Sequence, residues 1–579
     1  SSKLEQIARP RNTIGWKKMQ ATTDDPIHSA MKRWEEARDL LSSALVGYLD
    51  SCLNLNSILG RDVPNGRDIV SRIDSALGTL HPIMRQQLAR STSALSQTRN
   101  RMASSIGFLP EEVLYQIFFN LVYAPEHTKL SMRNSVRAIY RNLHNLLAVC
   151  STWRNIAISR GTLWEIIPAI DDPIRSQAIK LSLERSRGCF LRLAGTTTLD
   201  GPPILLRVVT ENSSRLRALN VQGSFSSQVT SIVTELLRNG VPTQLSELLL
   251  CCSPPKYSQP PRVSNCIVEA QSSEQASFNR LISSLAIIRL SGVQIHWKTT
   301  SNAFSDRLVE LYIHKVGLGN SDSAMVSFIS AVSSASELRD LKIIDVRAYR
   351  NPTETTDLTM RPTVTFPKLQ SLLLQDLYFN VLEFFLLAIF PGSYHSTVTL
   401  SAGAFEVIYS DGSSERISLD NVTRSLALGS IDTLFLPRGP VDDRAWLKGS
   451  EIRKLLEAMP KLRILKMHGW HFHEDFCSGL CPPETAGSPS YGFSIPKLEL
   501  LQLTGVTIRN QELFKHILVT ISPQSMILGG FIRSQDGKWA QLTEDDGIVE
   551  WLNTNVSGFR RVDLNYDTAS LQAESWQIW

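Results

Sequence analysis

Cysteine is scarce: eight thiols in 579 residues fall far below the density of a small disulfide scaffold, and pairs such as Cys251 and Cys252 sit in apolar segments where a reduced thiol packs as a small hydrophobe. A reducing compartment, cytoplasm or nucleus, is the expectation. Charge of one sign is lacking too, since 60 basic residues nearly balance 55 acidic ones to leave +5, which excludes the field that would by itself gather nucleic acid or an anionic membrane. The longest apolar-rich stretch, Leu369 to Phe390, is interrupted by Gln370, Gln375, Asp376, Asn380 and Glu383, so no segment is expected to cross about 30 Å of hydrocarbon. The opening residues Ser1 to Asn12 have no apolar run after their charges, so no secretory signal is expected. The tripeptides at Asn212, Asn421 and Asn555 are accordingly not expected to carry glycan. Catalytic signatures are missing: there is no G-x-S-x-G, no H-E-x-x-H, no Walker loop and no G-x-G-x-x-G, which leaves no reason to expect an enzyme or a cofactor.

Against these absences, 42% of the residues are apolar and 20% charged, enough material for a large core in a globular chain. Residues 24 to 60 place Ile27, Met31, Trp34, Leu41, Leu45 and Tyr48 mostly three or four apart, which predicts a helix starting near Pro26. After the turn signal VPNG at residues 63 to 66, a second helical pattern runs through Ile69, Ile73, Leu77, Leu80, Ile83, Leu88 and Leu95. A helical hairpin or short coiled coil would cover both stripes.

The stretch FLPEEVLYQIFFNL, Phe108 to Leu121, follows. Glu111 and Glu112 lie where a helix dipole favours negative charge, and Val113, Leu114, Ile117, Phe118 and Leu121 make an apolar stripe. A further run through Val136, Ile139, Tyr140, Leu143, Leu146 and Leu147 leads into Val149, Cys150, Trp153, Arg154, Ile156 and Ala157, and then to Leu163 and Trp164. Cys150 is expected to be buried packing.

In order and spacing, Leu109-Pro110, Glu112, Leu114, Ile117-Phe118, Leu121, Leu147, Val149-Cys150, Trp153-Arg154, Ala157 and Leu163-Trp164 resemble the F-box, and the helical lead-in before F-L-P is similar to fungal-type F-box proteins. The segment from Val122 to about Asn142 is longer than in the minimal motif. The resemblance implies that this module docks the Skp adaptor, and through it a cullin, of an SCF ubiquitin ligase. A unit this short cannot bury all its large apolar groups; Leu109, Pro110, Ile117, Phe118, Trp153 and Trp164 are the candidate adaptor-binding residues.

From about residue 214 an L-x-x-L-x-L pattern recurs, starting at Leu216, Leu245, Leu285, Leu308, Leu338, Leu369, Ile431, Leu462, Leu498 and weakly Phe559. Two steps of 62 and 61 residues are double, with degenerate copies at His395-Val398-Leu400 and Pro523-Met526-Leu528. Twelve slots of about thirty residues predict a strand per slot, with segments such as Val326 to Ser330 and Val381 to Phe390 as the intervening helices. The pattern resembles irregular leucine-rich repeats. The Pro- and Ser-rich stretch from Cys251 to Asn265 is expected to be a loop.

In such a solenoid the alternate strand positions face the concave side, a binding platform. They include Tyr312, His314, Lys342, Gln375, Lys466 and His468, the candidate substrate-binding residues, together with Gln502, Thr504, Asp563 and Asn565. The cluster His468, His471, His473, Cys477 and Cys481 has the atoms zinc prefers but no common zinc spacing, so no metal is expected.

The sequence therefore predicts an α/β repeat protein: a helical lead-in at 1–104, an F-box domain at 105–167, and a leucine-rich-repeat-like solenoid at 168–579. Its expected role is that of a non-catalytic substrate adaptor of a ubiquitin ligase, binding the Skp adaptor and an unknown protein substrate and neither nucleic acid nor membrane. A scaffold without a ligase role is the alternative.

Overall fold

The computed structural model describes residues 26–58, 66–103, 105–125, 130–170, 176–197, 204–252, 266–300, 304, 306–351, 362–438, 446–481, 495–533, 537–563 and 576–577. The chain divides into two compact units, 1–108 and 109–579. It is an α/β fold with a helical N-terminal region and one large, mainly parallel sheet. Among the described residues no helix is long and apolar enough to cross a membrane.

The first unit holds α1 (Pro26–Ile58), α2 (Gly66–Ser75) and α3 (His81–Ala103), the last two joined by a π-helical turn at Ala76–Leu80. That turn has a local cause. Pro82 lacks an N–H and crowds the carbonyl one turn back, and a widened turn just before it relieves both effects. Tyr48 of α1 and His81 of α3 meet at 3.2 Å, yet α1 buries no residue and Ile27, Leu40, Leu41, Leu49, Leu77 and Ile83 are exposed. The stripes are helical as expected, and their apolar sides stay open.

The second unit begins with α4 (Glu111–Val122), α5 (Met132–Val149) and α6 (Ser151–Ser159). Pro110 stands just before α4 with extended backbone, and its carbonyl accepts the N–H groups of Val113 and Leu114, each at 3.1 Å. Cys150 is half-buried between α5 and α6, where its sulfur accepts the Trp153 N–H at 3.5 Å. The thiol thus caps a helix, a role that apolar patterning does not announce.

Among the described residues sixteen strands form the sheet. In order they run β1 (Ile166–Ala169), β2 (Leu191–Thr197), β3 (Leu216–Gly223), β4 (Glu247–Cys252), β5 (Ile287–Ser291) and β6 (Glu310–His314). The order then continues through Asp340–Ile344, Ser371–Gln375, His395–Thr399, Thr433–Pro437, Ile464–His468, Leu500–Ile508 and Ser525–Arg533. Trp539–Gln541 adds antiparallel to the last of these; Gly558–Arg561 and His471–Phe472 pair parallel beside it and its neighbour. Each of the twelve slots of the sequence pattern carries a strand, the two degenerate copies included. Asn265 and the rest of the loop after Cys252, Asn565, and the turn at residues 63–65 lie outside the described residues.

The ladder explains the pattern. Val221, Leu250, Leu290, Ile313, Ile343 and Leu374 stand side by side on neighbouring strands and are buried. At the degenerate copy the register steps by two, so Val398, second in its own motif, pairs with Leu374, third in its neighbour's. On the same side the intervening helices bury Val229, Ile232, Phe278, Phe328 and Phe385, in one apolar cluster that runs from Ile167 to Val556.

Five strands are followed at once by a residue with positive φ, Gly292, Lys315, Asp345, Asp376 and Gly469, and Gly505 takes the same sign of φ at the register shift inside Leu500–Ile508. The first four stand at one level of the ladder, and Gly469 stands two residues further along. Glycine is required at 292, where a Cβ would stand 2.2 Å from the Cys252 carbonyl oxygen.

Candidate functional site

Helix α4 carries two apolar stripes one residue apart. Leu114, Phe118 and Val122 turn inward and are buried. Val113, Ile117 and Leu121, each preceding its buried neighbour, are exposed with Leu109, Ile117 at 40%. Spacing of four residues repeats each stripe almost directly above itself. The inward stripe packs with Phe118 against Trp153, ring centroids 4.7 Å apart. Polar clamps fix the module behind it: Tyr115 bonds Thr162 at 2.8 Å, Asn142 donates to the Leu121 carbonyl at 2.9 Å, and Arg160 pairs with Glu111 at 3.0 Å.

The expected adaptor-binding residues separate accordingly. Leu109, Pro110 and Ile117 are exposed and Trp153 is half-buried. Phe118, at 0% exposure, and Trp164, at 3%, belong to the core and leave the exposed set. Trp164 donates its indole N–H to the Ala157 carbonyl at 2.7 Å and is covered by Arg185 at 4.4 Å. Val113, Leu121 and Val149, absent from the expected patch, are exposed in their place. Hydrophobicity cannot make this distinction, because adjacent Ile and Phe are equally apolar; position relative to α5 and α6 decides it.

The other surface is the sheet face turned away from the helices. Pairing registers place Asn220, Leu249, Arg289, Tyr312, Lys342 and Leu373 in one row across six strands. The next row holds Gln222, Cys251, Ser291, His314, Ile344 and Gln375. Tyr312, Lys342, Gln375, Lys466 and His468 are half-buried, and His314, Gln502 and Thr504 are buried. Lys466 continues the second row through Thr399 and Phe435, and His468 stands two residues further along its strand. The expected residues therefore spread along a long face and do not converge on one point.

Two arginines of this face pair with carboxylates on other strands of the same face. Arg289 forks onto Glu310 at 2.7 and 3.1 Å, and Arg192 reaches Glu247 at 2.9 Å. Burial, helped by the neighbouring Lys315, pushes the His314 imidazole down to about 4, and its Nδ1 lies 2.9 Å from the Ser291 hydroxyl. Burial pushes the Cys477 thiol up to about 12, so it stays protonated and unreactive at neutral pH. His473 accepts the Phe476 N–H at 3.2 Å as a helix cap, and His468 bonds Thr504 at 3.0 Å. Among the described residues no group of three or more His, Cys, Asp or Glu is placed to hold a metal ion.

Set against known proteins, the chain matches no family model and no curated protein. Two residues that sequence reasoning passed over also stand on the sheet face. Asn220 of β3 is fully buried, and Trp576, 356 residues later, donates its indole N–H to the Asn220 side chain at 2.6 Å. The signal for the first was an Asn set between the apolar motif positions Leu219 and Val221.

Proposed function

We propose that this chain is the substrate-recognition subunit of an SCF-type E3 ubiquitin ligase, an F-box protein whose strand–helix units are irregular leucine-rich repeats. Its F-box docks the Skp adaptor and its strand face holds a protein substrate. The observation that carries the reading is the open stripe of Leu109, just before α4, and Val113, Ile117 and Leu121 on it, backed by a second stripe that is already packed. An apolar row on a module with its own filled core is what a partner helix covers. The motif order from Leu109 to Trp164 supports the identity of that partner. Twelve motif copies, each on a strand of one sheet, support the repeat assignment and an extended platform for the substrate.

Such a subunit contributes no reactive group. It accelerates transfer of ubiquitin by holding substrate lysines near a conjugating enzyme, an effective-concentration effect. Co-purification with the Skp adaptor and a cullin tests the reading. Wild type is expected to retain both, and Leu109→Ala with Ile117→Asp is expected to retain neither while its melting temperature stays unchanged. Capture of the adaptor undiminished by these substitutions would refute the site, and a wild type that captures no adaptor would leave the scaffold alternative standing.

A further inference from the structure

Residues Trp576 and Gln577 sit on the strand face, held by three hydrogen bonds to groups far away in the chain. The Trp576 indole N–H donates to Oδ1 of Asn220 at 2.6 Å. Nδ2 of Asn220 donates to the Gln577 carbonyl at 3.0 Å. The Trp576 carbonyl accepts the backbone N–H of Met132, the first residue of α5, at 2.6 Å. On its other side the indole lies against Tyr312 of β6, ring centroids 6.4 Å apart and tilted by 59°, inside the range of favourable aromatic pairs.

Each half of this arrangement reads a different feature. An indole nitrogen only donates, so it fixes which end of the Asn220 amide faces it, and the amide nitrogen is then aimed at the following residue's carbonyl. The first N–H groups of a helix have no partner inside the helix, and Met132 supplies one of these to the Trp576 carbonyl. Together the contacts specify a tryptophan side chain and the two carbonyls of a Trp-x dipeptide. Nothing in them depends on the dipeptide belonging to this chain.

We infer that the pocket formed by Asn220, Tyr312 and the start of α5 is a binding site for a tryptophan-bearing peptide segment, occupied here in cis by Trp576–Gln577 and open in trans to a partner segment of the same chemistry. The inference deepens the reading of the strand face as a recognition platform and rests on it for biological meaning, while the pocket itself is tested without adaptor or substrate. Trp576 acts as an internal competitor: a partner peptide enters by displacing it. Phenylalanine in its place would keep the ring contact with Tyr312 and lose the bond to Asn220, so the site discriminates on the indole N–H.

The test uses the full chain and a fluorescein-labelled synthetic peptide of residues 572–579, QAESWQIW, followed by fluorescence anisotropy. Trp576→Ala empties the pocket and is expected to bind the probe at least tenfold tighter than wild type. Adding Asn220→Ala is expected to remove that gain. Replacing the first tryptophan of the probe by phenylalanine is expected to weaken binding to Trp576→Ala at least tenfold, and replacing the second is expected to change it little; these two probes need no second protein variant to fold. Equal affinity of the probe for wild type and Trp576→Ala, or indifference to the first tryptophan, would overturn the inference. Either result leaves adaptor capture through α4 untouched, and loss of adaptor capture leaves the peptide result standing.

Discussion

The imidazole of His314 is 6% exposed and bonded to Ser291 on the adjacent strand. Burial, with Lys315 adding like charge, holds its pKa at about 4 against an ordinary 6.5. The unfolded chain therefore takes up a proton between those values that the folded chain refuses. By linkage this stabilising contribution is complete above about pH 6.5 and is lost as pH falls toward 4. At about 1.4 kcal/mol per pKa unit the loss is roughly 3 kcal/mol. His314→Gln keeps a polar partner for Ser291 and removes the titration. Urea unfolding at pH 7.5 and pH 4.5 is expected to show a larger drop for wild type than for the variant, by up to that amount; equal drops would show that another group governs acid sensitivity. A neutral, buried histidine suits a position in the packed strand face better than one reserved for proton transfer.

At the scale of one element, α4 sets two neighbouring residues to opposite tasks. Phe118 is wholly buried against Trp153 and Ile117 is exposed. Phe118→Ala is expected to lower stability by about 3 to 5 kcal/mol, the range for an aromatic deleted from a core. Ile117→Asp, a surface change, is expected to alter stability by less than about 0.5 kcal/mol and to reduce adaptor capture at least tenfold; thermal melts beside quantitative pull-downs separate the two effects. The existence of α4, and of a strand at each repeat, was legible because periods of 3.6 and 2 leave apolar residues at fixed spacings. The choice between the two stripes was not, since only the placement of α5 and α6 says which side is covered. Strands β1 and β2 escaped notice because Ile166–Ala169 and Leu191–Thr197 carry no L-x-x-L-x-L. The pairing of Asn220 with Trp576 escaped it for a different reason: two residues 356 apart leave no local periodicity to read.

For the whole molecule, the distribution of buried surface predicts which part folds without the other. The apolar cluster begins at Ile167 and ends at Val556, and the buried side chains of α4 to α6 begin at Leu114. In the first unit α1 buries nothing, and helices with open apolar sides gain little from tertiary packing. A parallel array behaves differently, because each strand is tied to two neighbours and a lesion at its centre weakens the array on both sides. Phe385 stands there, fully buried and edge-on to Phe328 at 5.6 Å. A chain beginning at Leu109 is expected to melt within about 2 °C of the full chain, since little core is removed. Phe385→Ala is expected to cost about 3 to 5 kcal/mol and to lower the melting temperature equally in both lengths. Differential scanning calorimetry of the four proteins decides the matter. A shortened chain that melts far below the full one would show that residues 1–108 supply stability that their exposed helices do not reveal, and a smaller effect of Phe385→Ala in the short chain would show that the two units fold as one.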